Sequence, residues 1–140
     1  MPEVTVRWNG QRRFVAADEH GHSVVMDSPS TGYIGMRPME LVLVGLAGCT
    51  GMDVISILEK KRERITGMTV RVSGVQRDEY PTRWTAIHVE YEVTGVGVKA
   101  ASVERAIELS EEKYCAVRGS LAAEIDVTSS YRLLEENRSE

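Results

Sequence analysis

Hydrophobic and polar positions alternate strictly near the start of the chain. Val4, Val6 and Trp8 fall on one face and Thr5 and Arg7 on the other, which predicts a strand over 4–8. Asn9 and Gly10 follow, a dipeptide suited to a hairpin turn because both residues tolerate positive φ. A return strand is expected over 14–17, a polar turn at 18–21 and a third strand over 23–27. The opening third therefore reads as a small antiparallel meander. The alternation then stops, and residues 28–35, rich in Ser, Pro, Thr and Gly, mark a loop.

A different pattern begins at Pro38, a residue suited to the first helical position, with Glu40 complementing the positive end of the helix dipole. From Leu41 to Leu58 apolar residues run almost without a break, and no polar face emerges before Glu59. This predicts a helix of roughly 25 residues, about 37 Å long, buried on all sides. Lys60, Lys61 and Arg62 suit its negative end, and Gly67 marks the expected stop. Strands follow over 70–75 and 84–94, separated by a turn at 79–82. In the second of these, Ile87, Val89, Tyr91 and Val93 oppose His88, Glu90, Glu92 and Thr94. Ser102 is expected to cap a second helix carrying Val103, Ala106, Ile107, Tyr114 and Val117 along one stripe, interrupted at Gly119. A last strand over 125–133 precedes a charged tail expected to fray. The whole pattern describes one α+β domain over 1–140. One short meander cannot cover every side of so long an apolar helix, so a second copy of the chain is expected to cover the rest, as a homodimer.

Composition narrows the function classes. The 140 residues are 42% hydrophobic and 27% charged, ordinary for a globular protein, and the net charge of −4 lacks the basic footprint of a nucleic-acid binder. Lys61, Arg62 and Arg64 cluster, but Glu59 and Glu63 interleave with them as on a solvated helix end. The N-terminal residues do not resemble a secretory signal, and Arg37, Glu40 and Asp53 bracket or interrupt the long apolar run. The expectation is a cytoplasmic protein with no membrane partner, whose thiols are kept reduced.

Candidate chemistry rests on the only two cysteines, Cys49 and Cys115. They are too far apart in sequence for a CxxC motif, and each reads as lying on a helix. A buried cysteine taken alone is most simply a small hydrophobe. Gly45, Gly48 and Gly51 surround Cys49, however, and each costs about 1 kcal/mol in a helix interior, which suggests that something approaches closely. A nucleophilic Cys49 needs its thiolate favoured, and the helix start is too distant to do this. Arg12, Arg13 and Arg37 are the available cations. Asp18, Glu19, His20 and His22 coincide with a predicted turn, no histidine lies near either cysteine in sequence, and phosphate-binding glycine loops and a GxSxG elbow are absent. No metal and no cofactor are expected.

PMELVLVGLAGCTGMDVISILEKKR, followed by SEEKYCAVRGSL and a closing strand, resembles the OsmC/Ohr family of thiol-dependent peroxide reductases, and the match covers nearly the whole chain. The resemblance implies an intertwined homodimer with the central helices buried across the interface. It also implies that Cys49 attacks the O–O bond of an organic hydroperoxide, that Cys115 resolves the sulfenic acid as a disulfide, and that an external dithiol, lipoyl in the family, reduces it. Catalytic roles fall on Cys49 and Cys115, and on Glu40 with Arg13 or Arg37 as the carboxylate–arginine pair. In well-characterised members the glutamate directly follows the proline; here Met39 stands there and the acid is Glu40, one residue later. The alternatives are a non-catalytic redox sensor or small-ligand binder of the same fold and a hot-dog thioesterase, which the two-cysteine pattern disfavours.

Overall fold

The opening alternation folds as an antiparallel sheet of β1 (Thr5–Trp8), β2 (Phe14–Ala17) and β3 (Ser23–Met26), in that order. The computed structural model describes residues 1–136, and the chain divides into two units, Met1–Val42 and Leu43–Glu140. Trp8 pairs with Phe14, so the first turn is longer than a two-residue hairpin. Its positive φ values consequently fall at Gly10 and Gln11 rather than at Asn9, and Asn9 N–H donates to the Arg13 carbonyl at 2.8 Å. After β3 the chain enters a 3-10 turn, Pro29–Thr31, and returns beside β3 through a parallel bridge between Met26 and Met36. Gly35 permits this return: a Cβ there would lie 2.4 Å from the Val25 carbonyl oxygen.

The long helix, α1, spans Pro38–Lys60. Its start is closed by a side chain, since Glu40 Oε1 accepts the Arg37 backbone N–H at 3.1 Å and Arg37 Nε at 3.0 Å. The acid thus stands at the third helical position, where a glutamate reaches back to the capping residue. One chain covers only part of this helix. Only Leu46, Thr50, Val54 and Leu58 are buried, one residue per turn, while Val44 and Met52 are exposed. Length and composition alone would let α1 cross a membrane, with a mean hydropathy of 2.0 over its most apolar window.

Nor does α1 end at Gly67. Arg62 takes the left-handed conformation (φ 61°), its N–H bonds the Glu59 carbonyl, and the Glu63 N–H reaches back to the Leu58 carbonyl. That is the paired bonding of a Schellman stop, with arginine where glycine is usual. Gly67 instead sits inside β4 (Arg64–Gln76), at a register shift between Ile65 and Gly67.

In the second unit, β5 (Trp84–Val96) is the central strand of a sheet ordered β4-β5-β6, antiparallel to β4 and parallel to β6 (Asp126–Glu135). Ile87, Val89, Tyr91 and Val93 of β5 supply the core, with Val103, Ala106 and Ile107 of α2 (Ala100–Leu109). Ser102 does not cap α2. Lys99 holds that position, and Ser102 Oγ donates to Glu63 Oε1 at 3.0 Å. The expected single helix is in fact three pieces: α2, a π-turn over Ser110–Tyr114, and α3 (Ala116–Ser120). Cys115 stands between the last two in extended conformation, so it is not a helical residue as expected. The last strand runs to Glu135, and the fraying expected of the tail falls largely outside the described residues.

Candidate active site

Cys49 and Asp53 are four residues apart on α1, so they share a face of the helix. Cys115 joins them from the break after the π-turn. The two sulfurs and an Asp53 carboxylate oxygen all lie within 4.8 Å of one another. The wider bonding of the π-turn delivers the thiol: the Cys115 N–H closes on the Ser110 carbonyl, five residues back, at 2.8 Å. Cys115 Sγ then caps α3 by accepting the Arg118 backbone N–H at 3.3 Å. Cys49 is half-buried and Cys115 buried. Burial pushes the Cys115 thiol up and the Arg118 N–H opposes this, while the Cys49 thiol and the Asp53 charge push the same way as burial. Cys115 is therefore held as a protonated thiol.

A row of polar groups runs inward from Asp53. Ser110 Oγ donates to Asp53 Oδ2 at 2.9 Å and contacts Thr50 Oγ1 at 2.8 Å; Thr50 contacts the Tyr91 hydroxyl at 2.6 Å, which donates to Glu111 Oε1 at 3.2 Å. Thr50, Ser110 and Tyr91 are all buried, and burial leads the causes that raise the Tyr91 phenol far above its ordinary value, keeping it a neutral donor. Carboxylates only accept, so Tyr91 gives its proton to Glu111 and Ser110 gives its own to Asp53. The single Thr50 proton then serves one neighbour at a time.

Arg13, Arg37 and Glu40 have partners of their own in the first unit. Arg13 Nε donates to buried Asp27 at 3.3 Å, and Arg13 Nη2 donates to the Thr31 carbonyl. Burial disfavours the Asp27 charge, but hydrogen bonds from the Thr31 hydroxyl, the Ile34 and Ser28 N–H groups and Arg13 more than offset it and hold the carboxyl well below the usual range. Arg37 pairs with Glu40, whose carboxyl is lowered by that hydrogen bond. The structure thus joins Cys49 to Cys115 and Glu40 to Arg37, and gives Arg13 to Asp27. Sequence reasoning missed Asp53, Thr50, Ser110, Tyr91 and Glu111. The signal for Asp53 was its spacing of four from Cys49.

An open groove of about 530 Å³ runs along another side of α1, lined chiefly by Ala47, Gly48, Gly51, Met52, Ile55 and Met68. Within one chain nothing lies close enough to require glycine at positions 45 or 48, and at Gly51 a Cβ would make ordinary contact with Val70. Among the described residues, the two sulfurs and the Asp53 carboxylate are the group that could hold a metal ion.

Comparison with known proteins places the chain in a family. The family described as OsmC-like protein matches residues 29–130. Protein YhfA of Escherichia coli K12 is 36% identical over 132 residues, covering 94% of this chain and 98% of its own. A crystal structure of a hypothetical protein from Aquifex aeolicus VF5 superimposes with a TM-score of 0.88 at 27% identity, covering 98% of each chain. The organic hydroperoxide resistance protein OhrB of Bacillus subtilis shares the fold, with a TM-score of 0.65 at 20% identity over 94% of this chain and 98% of that one.

Proposed function

The chain belongs to the OsmC-like family, and from that premise we propose that it is a thiol-dependent peroxide reductase acting on organic hydroperoxides. The observation that carries this reading is the approach of the Cys49 and Cys115 sulfurs to within 4.8 Å. In the first step the Cys49 thiolate attacks the terminal oxygen of ROOH; the O–O bond breaks, Cys49 becomes a sulfenic acid, and the alkoxide leaves as ROH after taking a proton. In the second step the Cys115 thiol attacks the Cys49 sulfur. An S–S bond forms, and the displaced hydroxide leaves as water with the proton Cys115 has retained. An external dithiol then reduces the disulfide and is itself oxidised to a disulfide. The exposed half of Cys49 and the buried state of Cys115 suit this division: the accessible thiol meets substrate and the inner one resolves.

Arg37 and Glu40 are the pair we assign to the role of the family's carboxylate and arginine, because they are bound to each other at 3.0 Å. Arg13 is assigned to structure, because its Nε is bound by buried Asp27 and its Nη2 by the Thr31 carbonyl. The working form is a homodimer in which the glycine-bearing groove receives the same helix of a second copy; small residues let backbones approach there.

Stopped-flow oxidation of the reduced protein by cumene hydroperoxide, with H2O2 alongside, tests the reading. Rapid loss of two thiols per chain, a Cys49–Cys115 disulfide on peptide mapping and turnover with dihydrolipoate are expected. Thiols that stay reduced for minutes in excess hydroperoxide, or a Cys49→Ser variant that reacts as fast as the parent, would sink it.

A further inference from the structure

The proposed thiol chemistry needs two sulfurs, yet a carboxylate stands beside them. Asp53 lies within 4.8 Å of both, and among the described residues no arginine, lysine or histidine side chain forms an ion pair with it. From this juxtaposition we infer that Cys49, Asp53 and Cys115 form a binding site for a thiophilic divalent cation of the zinc class. The three donors are spaced for one ion. Two sulfurs bound to one tetrahedral zinc at ~2.3 Å stand about 3.8 Å apart, and a carboxylate oxygen at about 2.0–2.2 Å completes three of four positions. That geometry falls inside the observed separations. Binding the ion releases the thiol protons, so affinity for the metal is expected to rise with pH.

A second layer of hydrogen bonds supports the ligands. Asp53 Oδ2 is fixed by Ser110 Oγ at 2.9 Å, and Ser110 is itself held by Thr50 at 2.8 Å in a buried setting. Cys115 Sγ accepts the Arg118 N–H at 3.3 Å, a contact that fixes the position of the sulfur. Ligands oriented in this way bind metal ten- to a hundredfold more tightly than the same ligands without such partners. The ligand set selects the ion: thiolate sulfur favours zinc and its softer relatives over magnesium or calcium. The fourth position is left for water. Metal and disulfide both require both sulfurs, so each excludes the other.

Titration of reduced, metal-free protein with Cd2+ tests the site without any peroxide turnover, so its outcome is separate from that of the function proposed above. The expected result is a sulfur-to-cadmium charge-transfer band that saturates at one ion per chain and is displaced by Zn2+. The band should be lost in Cys49→Ser and in Cys115→Ser. Asp53→Asn, close to isosteric, and Ser110→Ala should each weaken Cd2+ binding at least tenfold while keeping the native circular dichroism. A parent protein with no such band at micromolar Cd2+, or an Asp53→Asn variant that binds as tightly as the parent, overturns the inference. If either substitution at Asp53 or Ser110 unfolds the chain, the parent's stoichiometry and the two-sulfur intensity of its band decide the matter.

Discussion

At the scale of single residues, similar side chains are given different work by their partners. Arg13 and Arg37 look alike in sequence, each a cation ahead of the apolar helix, but one is bound to buried Asp27 and the other to half-exposed Glu40. Arg37→Gln is expected to slow hydroperoxide consumption at least tenfold with little change in melting temperature, whereas Arg13→Gln should lower the melting temperature and leave the rate nearly unchanged. Steady-state peroxidase assays beside thermal denaturation separate the two; the reverse pattern would exchange their roles. Asp27 makes a pH prediction. Its carboxyl titrates below the unfolded value of about 4, so its contribution to stability is complete above that range and is lost as pH falls toward the folded value. Urea midpoints should therefore decline with acid in the parent, and the decline should be shallower in Asp27→Asn.

At the scale of elements, periodicity told where strands lie, and partner geometry decided where helices stop. The strict alternation of β5 was legible because one face of it is core, Ile87 to Val93 in steps of two. The end of α1 was not legible, because Arg62 adopts the left-handed conformation that a reader assigns to the next glycine. The break at Cys115 was hidden for a similar reason: the apolar stripe of α2 continues past it, and a single π-turn leaves no mark in a hydrophobic pattern. Asp53 was visible in the sequence, but only as an interruption of an apolar run. Its chemistry appears once the π-turn brings Cys115 across. Thr50 belongs to this scale as well, as a hydroxyl on the buried stripe of α1 that tethers the helix to Tyr91 of β5 and Ser110 of the π-turn. Thr50→Val leaves both partners buried with one bond fewer, a loss of about 1–3 kcal/mol. Guanidinium unfolding should show it, and an unchanged midpoint would mean that the row contributes nothing to stability.

At the scale of the whole molecule, the apolar pattern of α1 exceeds what one chain covers. Four residues are buried, and Met52 remains 76% exposed. That surplus is the reason to expect a second copy. Sedimentation should give a dimer at micromolar concentration, and Met52→Lys or Gly48→Leu should shift it to monomer while the circular dichroism stays native. A monomeric parent would remove the need for either glycine.

The meeting of Cys49 and Cys115 also bears on the topology of the chain. A bond between them closes a ring of about 66 residues that contains the end of α1, β4, β5 and α2, and leaves β6 outside. Closing a ring of that size restricts the unfolded chain by about 4 kcal/mol on the loop-entropy estimate. The oxidised protein is thus expected to melt at a higher temperature than the reduced one, and Cys115→Ser should abolish the difference. A thermal scan with and without dithiol would then read the redox state of the site from the stability of the fold.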